Sequence, residues 1–159
     1  MKFKAVDEIN HFSFQDCQVV EAEVSSEGIR FQVEALIVRP ENSQNTNFTE
    51  SYAGTTEIRF VGGKITSGVK DGFKYYNADD VLIQEIPDTD LSKDEVSALL
   101  KKIEGAYLYE VKDEDDEYIL ALEFVDESDF NPASDSYTLK VKAEKVIVEW
   151  DFYMNRVQH

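Results

Sequence analysis

The sequence predicts a mainly β fold (all-β or α+β), an antiparallel β-sandwich or partly closed barrel of about eight to ten strands with one amphipathic helix at about 93–104. Three observations support this prediction. Apolar and polar residues alternate in segment after segment, which is the period of a half-buried strand. Only one stretch has helical spacing, so the chain lacks the helical crossovers that a parallel sheet needs. The length of 159 residues and the 42% of apolar residues fit a single domain, 1–159, with one core.

The first predicted strands form a hairpin. Even positions are apolar through most of 12–24, and odd positions are apolar through 29–37. The turn between these segments lies at 25–28. Asp16 and Gln18 interrupt the apolar series, which predicts a bulge or bend there.

In three segments outside the hairpin, the alternation of apolar and polar residues does not identify a strand. Residues 41–51 contain one large apolar residue, Phe48, among amides and hydroxyls, so they predict an exposed loop. Residues 3–10 fit a helical turn as well as a short strand. Residues 153–159 are expected to fray, as chain ends commonly do.

The middle of the chain predicts two further strand pairs. Alternation resumes at 56–60, and Gly62 with Gly63 is typical of a tight hairpin turn that returns the chain through 64–66. A short aromatic piece, 73–76, leads to another predicted strand at 81–86.

The predicted helix carries consistent signals at both ends. Ser92 and Glu95 form a capping box before the apolar positions begin. Gly105 suits the left-handed conformation beyond the last turn. The helix is expected to lie across a sheet with one face buried, formed by Val96, Leu99, Leu100 and Ile103.

The last third predicts strands at 106–112, 118–125 and 137–153. In the longest of them, the apolar positions change from odd to even. A change of parity requires either a bulge near 143–145 or a corner at which the strand changes sheets.

Charge and cysteine content exclude several classes of protein. The formal net charge is -17, which repels nucleic-acid backbones and anionic membrane surfaces. No apolar stretch approaches the roughly 20 residues that cross a bilayer. With Cys17 as its one cysteine and no apolar run at the start, the chain is expected to be cytoplasmic.

Catalytic and cofactor templates are absent from the sequence. Nucleophile, phosphate-binding, dinucleotide and zinc motifs are all missing, so no catalytic residue, metal ligand or cofactor is assigned, and the chain is not expected to be an enzyme. A pair of Cys17 with His11 is disfavoured, because six residues of extended strand separate them by roughly 20 Å. A carboxylate- or metal-dependent hydrolase stays the third hypothesis.

Acidic residues cluster in two predicted turns. Asp113, Asp115 and Glu117 alternate in one turn, and the next loop contains four further oxygen donors. Calcium takes about six to eight such oxygens, but neither segment matches the EF-hand calcium loop, so plain solvated turns are favoured over calcium binding. The donors of the second loop are Asp126, Asp129, Asn131 and Asp135.

The leading functional hypothesis is a protein-interaction module whose acidic face docks a basic partner. Residues 110–135 contain 11 acids and one base, Lys112. The alternative is that this charge only provides solubility and protects strand edges. The expected contact residues are Asp113, Glu114, Asp115, Asp116, Glu117, Tyr107 and Tyr109.

A small-ligand module is the second hypothesis. Tyr75, Tyr76 and Tyr52 are expected to bind an apolar or sugar ligand in a partly closed barrel near 41–51. In size, acidity and mostly β organisation the chain also resembles small bacterial immunity and inhibitor proteins that neutralise basic toxins. That resemblance is one of overall type and involves no particular residues.

Overall fold

The protein is described by a computed structural model that covers residues 1–125 and 134–157. It is mostly β, with 57% strand and 8% helical residues, which confirms the predicted fold class. Sixteen strands are present in the described part of the chain, more than the predicted eight to ten, because several strands have only two to four residues. The architecture is sandwich-like, and within the described residues no barrel closes.

The helices and strands follow one another in this order: β1 (Phe3–Val6), a 3-10 helix (Ile9–His11), β2 (Phe12–Ser13), β3 (Gln18–Ser25), β4 (Gly28–Glu34), β5 (Ile37–Val38), β6 (Ser51–Ala53), β7 (Thr56–Val61), β8 (Lys64–Lys70), β9 (Phe73–Tyr76), β10 (Leu82–Ile86), β11 (Thr89–Asp90), α1 (Lys93–Lys101), β12 (Tyr107–Glu114), β13 (Glu117–Val125), β14 (Ser134–Lys142), β15 (Lys145–Trp150) and β16 (Tyr153–Arg156).

The strands form three antiparallel sheets. Ten strands make one sheet in the order β1-β15-β7-β4-β3-β12-β13-β14-β8-β11. A four-stranded sheet has the order β16-β6-β5-β2, and β9 pairs only with β10. The predicted interruption at Asp16 and Gln18 marks the place where the chain leaves the four-stranded sheet and enters the ten-stranded one.

Two long strands bend together and fold the ten-stranded sheet back on itself. Val61 faces Lys145 before the bend, and Lys64 faces Lys142 after it, so β7–β8 and β15–β14 stay paired across the corner. The parity change near 143–145 therefore marks a corner, but β14 and β15 both belong to the ten-stranded sheet, so the chain does not change sheets there. The predicted hairpin at the two glycines is wrong: β8 pairs with β14, because only Gly62 has the positive φ that a tight turn requires of both central residues.

An aromatic cluster joins the two larger sheets. The indole of Trp150 is fully buried at the end of β15. Its ring lies 5.6 Å from Phe3 in β1 and 5.7 Å from Phe12 in β2, with Tyr153 of β16 at 6.0 Å. Aromatic pairs at such distances add about 0.5–1.5 kcal/mol each beyond their burial. One continuous core therefore spans both sheets.

The predicted capping box is confirmed, and α1 ends earlier than predicted. The backbone N–H of Glu95 donates to Ser92 Oγ at 3.2 Å, and the Ser92 N–H donates to Glu95 Oε1 at 3.1 Å. The last helical residue is Lys101, because Lys102 has left helical geometry, and Gly105 has the expected positive φ of 87°. The helix packs closely on β8, where an added Cβ at Gly68 would lie 2.6 Å from the Val96 side chain.

Two local expectations are corrected, and one open alternative is answered. Residues 41–50 form a loop and Ser51 begins β6. Asn42 and Asn45 are buried, with 3% and 9% of their surface exposed, and their side chains bond backbone groups of the loop and of β5. The C-terminal Tyr153–Arg156 segment forms β16 against β6 instead of fraying, and residues 158–159 lie outside the described part. Residues 3–10 contain both alternatives, a strand and then a 3-10 turn.

Candidate functional site

The most exposed apolar feature is a hairpin that we call the arm, residues 73–86. It consists of β9, β10 and the turn between them. The two strands pair with each other, and within the described residues neither pairs with a third strand. Every residue from Phe73 to Asp90 is exposed. Seven of the 16 exposed large apolar side chains in the described chain lie in these 14 residues: Phe73, Tyr75, Tyr76, Val81, Leu82, Ile83 and Ile86.

Both faces of the arm present apolar side chains. The rings of Phe73 and Tyr75 pack edge to face with centroids 4.8 Å apart on one face, and Ile86 lies opposite Phe73. The other face pairs Tyr76 with Leu82. The register of β10 shifts between Leu82 and Gln84, so Ile83 has no partner residue in β9; its side chain is 65% exposed. The arm therefore has no face that is only polar.

The turn of the arm is held by Asn77. Its side-chain oxygen accepts from the backbone N–H of Asp79 at 2.9 Å and of Val81 at 3.0 Å. Asp80 adopts a positive φ of 58°. This turn places two carboxylates, Asp79 and Asp80, at the tip.

A tight neck joins the arm to the body. An added Cβ at Gly72 would lie 2.0 Å from the carbonyl oxygen of Ile86, so the entering and leaving strands are in backbone contact. The Gly72 N–H donates to Asp88 Oδ1 at 2.6 Å. Thr138 donates to Asp71 Oδ1 at 2.8 Å and ties the neck to β14. The neck fixes the direction in which the arm leaves the body.

A cleft of about 600 Å³ lies between the arm and the body. The arm contributes apolar groups, and the body contributes charged and polar groups. Lys70 Nζ lies 3.9 Å from Asp135 Oδ1 on the body side. The lining comprises Lys70, Asp71, Gly72, Phe73, Tyr75, Ile86, Pro87, Thr89, Asp135 and Ser136.

Tyr107 and Tyr109 lie on the outer face of β12. Leu108 between them is fully buried, and Tyr107 pairs with Glu123 of β13. Burial and then the charge of Asp71 raise the pKa of Tyr109. Tyr109 is hydrogen-bonded to Ser136, and the carbonyl oxygen of Ser136 accepts from the Asp71 N–H at 2.8 Å, so Tyr109 lies close to the neck.

The acidic turn Asp113–Glu117 is exposed or half-exposed, but it does not join the two tyrosines. It lies at the other end of β12, and the six residues from Tyr107 to Asp113 span roughly 20 Å of strand. Asp115 and Asp116 form the two-residue turn with φ of 52° and 64°. Thr66 of β8 donates to Glu117 Oε2 at 2.6 Å. The expected contact set is therefore divided between two ends of the sheet.

The three tyrosines expected to bind a small ligand are also separated. Tyr75 and Tyr76 lie in the arm, whereas Tyr52 lies in β6 of the four-stranded sheet. Tyr52 donates to Asp16 Oδ2 at 2.7 Å, and this hydrogen bond raises the pKa of Tyr52. The cavity that Tyr52 lines shares no residue with the cleft that Tyr75 lines, and 41–51 contributes to neither.

The two residues weighed as a nucleophile pair have other surroundings. Cys17 is fully buried, and burial raises the pKa of its thiol. The ring of His11 pairs with Glu8 at 3.2 Å. Within residues 1–125 and 134–157, no group of three His, Cys, Asp or Glu side chains could hold a metal ion. Asp126, Asp129 and Asn131 of the second acidic loop lie outside the described residues.

Sequence reasoning found the pieces of the arm and missed its exposure. Apolar residues of both parities at 81–86 are typical of a strand buried on two sides. The signal that distinguishes the arm is the turn at Asn77 with Asp79 and Asp80, which pairs 81–86 with the short aromatic segment and with nothing else.

Comparison with known proteins gives no relative from which to infer a role. In the described part of the chain, no helix has the length and apolar character of a membrane span. No family model, curated protein or solved structure matches this sequence.

Proposed function

We propose that this protein is a non-enzymatic protein-interaction module that docks a basic partner through the arm. The observation that carries the proposal is the concentration of seven exposed large apolar side chains in residues 73–86. Contiguous exposed apolar surface on a folded protein is typical of a binding surface. The partner is a protein with an apolar groove bordered by Lys and Arg side chains.

The arm has the properties of a segment that a partner covers. An isolated two-stranded hairpin is marginally stable at best, because it cannot bury its side chains against a third layer. Among residues 1–125 and 134–157, no further strand or helix covers the apolar faces of β9 and β10. Insertion into a groove would bury Tyr76, Leu82 and Ile83 and supply the missing layer. Aromatic anchors in such a groove contribute most of the affinity.

Charge supports a basic partner. The arm contains three acids, Asp79, Asp80 and Glu85, and one base, Lys74. Lys74 Nζ lies 3.7 Å from Glu85 Oε1, so the two aspartates at the tip face solvent without a cation from the arm. The net charge of -17 adds a long-range attraction for a cationic surface.

The acidic turn Asp113–Glu117 is assigned to steering in this proposal. It lies too far from the arm to touch the same groove, but attraction between exposed charges extends over a Debye length of about 8–10 Å in physiological salt. Its removal should slow association and flatten the salt dependence, while removal of the arm's side chains should shorten the lifetime of the complex.

The test compares two double variants as baits in lysate of the native host. Tyr76→Thr/Ile83→Thr removes two exposed apolar side chains of the arm, and Phe48→Ser/Met154→Ser removes two exposed ones elsewhere. The partner is the protein retained by the natural chain and by the control, and lost from the arm variant. Purified, it should bind the arm variant at least tenfold more weakly and the control within twofold.

Two outcomes contradict the proposal. If the arm variant retains the same proteins in the same yield as the natural chain, the arm is not the contact surface. If the purified partner binds the arm variant with unchanged affinity, the retention in lysate was indirect. A third variant, with Asp113, Asp115, Asp116 and Glu117 changed to amides, should bind with a lower association rate and a weaker salt dependence.

A further inference from the structure

A second apolar feature lies on the body, in a groove between α1 and the strands beneath it. We call it the α1 groove; its volume is about 430 Å³. Its apolar residues come from β3, β8, α1 and the segment just before α1, and Val24 is 57% exposed. The apolar lining consists of Ala22, Val24, Ile65, Gly68, Leu91, Val96 and Leu100.

The polar lining of the α1 groove is basic and contains no carboxylate. Lys93 and Lys101 line the groove, together with the hydroxyls of Thr66, Ser67 and Ser97. Four other cavities of the described chain each include at least one Asp or Glu. In a chain with 33 acids and 16 bases, a cavity with two lysines and no acid is a local inversion of charge.

Neither lysine is explained by its contacts within the protein. Neither forms an ion pair with the described part of the chain. Lys93 is the first residue of α1, where the helix dipole disfavours a cation. Lys101 is eight residues later, so the two lysines are about 12 Å apart along the helix axis at 1.5 Å per residue. The groove therefore has a cation toward each end and apolar surface between them.

We propose that the α1 groove binds a small aliphatic carboxylate of the medium-chain fatty acid class. The alkyl chain lies on Val24, Ile65 and Leu100, and the carboxylate pairs with Lys93 or Lys101. The volume is within the range of about 300–1,000 Å³ that small-ligand sites have. This site is independent of the arm and of its partner.

The binding experiment uses decanoate below its micelle concentration, with decanol as an uncharged ligand of the same length. Titration calorimetry of the full chain measures affinity, and NMR of the Val24, Ile65 and Leu100 methyl groups locates the ligand. We expect decanoate to bind at least tenfold more tightly than decanol and to shift these methyl signals.

Two pairs of variants separate the charge from the groove. Lys93→Glu/Lys101→Glu should weaken decanoate binding at least tenfold, whereas Lys64→Glu/Lys145→Glu makes the same charge change at exposed lysines outside the groove and should leave it within twofold. Ser97→Phe places a ring in the groove and should abolish binding. Ala98→Phe, the exposed neighbour that does not line the groove, should bind decanoate normally.

The single variant Lys93→Glu distinguishes a binding role from a structural one. An acid at the first helical position suits the helix dipole, so this variant should melt at a higher temperature while binding decanoate more weakly. Equal binding of decanoate and decanol, normal binding by Ser97→Phe, or no binding at millimolar decanoate would each overturn the proposal.

Discussion

The loop at 41–51 and the arm at 73–86 differ in burial in the direction opposite to the one that their compositions predict. The loop is rich in amides and hydroxyls, yet Asn42, Asn45 and Ser51 are buried within or beside it. The arm is rich in apolar residues, yet all of it is exposed. Composition alone therefore assigns neither segment to the surface or the interior.

The difference follows from where the backbone groups of each segment find partners. Residues 41–50 contain no strand, so side chains bond part of the backbone of this segment: Asn42 accepts from the Gln44 N–H, and Asn45 and Ser51 donate to the Thr49 carbonyl oxygen. The arm satisfies its backbone by pairing β9 with β10, so its side chains are left to face outward. Backbone hydrogen bonding, more than hydrophobicity, decides which side chains of a connecting segment are buried.

The largest expected effect is at the buried amide of the loop. Asn45 donates to the carbonyl oxygens of Val38 at 3.0 Å and Thr49 at 2.9 Å, and its oxygen accepts from the Asn47 N–H at 2.8 Å. Asn45→Ala should lower the free energy of unfolding by about 2–4 kcal/mol, because one buried and two part-buried hydrogen bonds are lost. Urea unfolding measures this loss. The exposed control Asn155→Ala should change stability by less than about 0.5 kcal/mol; an equal change in both would contradict the comparison.

The next effect concerns the carboxylate that fastens the loop to the start of the chain. Glu8 accepts from the Ser43 N–H at 2.9 Å and the Ser43 hydroxyl at 2.5 Å, and it pairs with His11. Burial acts to raise the pKa of Glu8, but these hydrogen bonds outweigh it and hold the pKa below the ordinary 4.5. Glu8→Gln should cost about 1–2 kcal/mol at neutral pH.

The pH dependence of that cost has a definite sign. Because the folded-state pKa of Glu8 is lowered, its contribution is present above pH 4.5 and is lost as the pH falls through the folded-state pKa. The unfolding free energies of Glu8→Gln and the natural chain should converge on acidification. A gap that stays constant down to pH 3 would show that the carboxylate charge is not involved. Glu41→Gln, in the exposed part of the same loop, is the control.

A smaller effect of opposite sign is expected at the one large apolar residue of the loop. Phe48 has a φ of 60° and is 91% exposed, so it has backbone strain without burial. Phe48→Gly should stabilise the protein by about 0.5–1 kcal/mol, because glycine adopts this conformation without strain. The neighbouring Thr46→Gly should destabilise by a similar amount, since its φ is not positive and glycine only adds entropy to the unfolded chain. Thermal melts of both variants measure the signs.

The smallest effect is expected in the arm. Tyr76→Thr and Ile83→Thr keep a strand-forming residue and remove exposed apolar surface, so each should change stability by less than about 0.5 kcal/mol. A loss of 2 kcal/mol or more for either would mean that the arm packs on the body. The comparison predicts that removing one polar side chain from the loop costs more than removing both apolar ones from the arm.

Some elements of the fold were predictable because their signals are local. The helix starts where the capping box of Ser92 and Glu95 places it, since both partners are three residues apart. The hairpin of β3 and β4 follows from alternation on both sides of one turn. The corner between β14 and β15 lies where the parity change allowed a corner, although the chain stays in one sheet there.

Other features depend on contacts between distant segments. Gly62 and Gly63 suggest a hairpin, but β7 has β4 and β15 as neighbours, so β8 continues past the corner to pair with β14. The separation of the acidic turn from Tyr107 follows from the length of β12, which the sequence predicts. The charge that acts on Tyr109 comes from Asp71, which lies 38 positions earlier in the chain, and no local spacing indicates this proximity. The α1 groove joins β3, β8 and α1, and no spacing in the sequence brings these together.

Because of the neck at Gly72, the arm is a segment that can be replaced without moving the strands on either side of it. Because the chain enters and leaves the arm with its two backbones in contact, the ends of the segment already have the spacing of a short turn. Insertions, deletions and replacements are tolerated best at segments whose ends are close together and whose interior is not packed on the body. Under the proposed function, such a chain would change its binding specificity by acquiring a different arm, while the other fourteen strands of the described residues keep their paths.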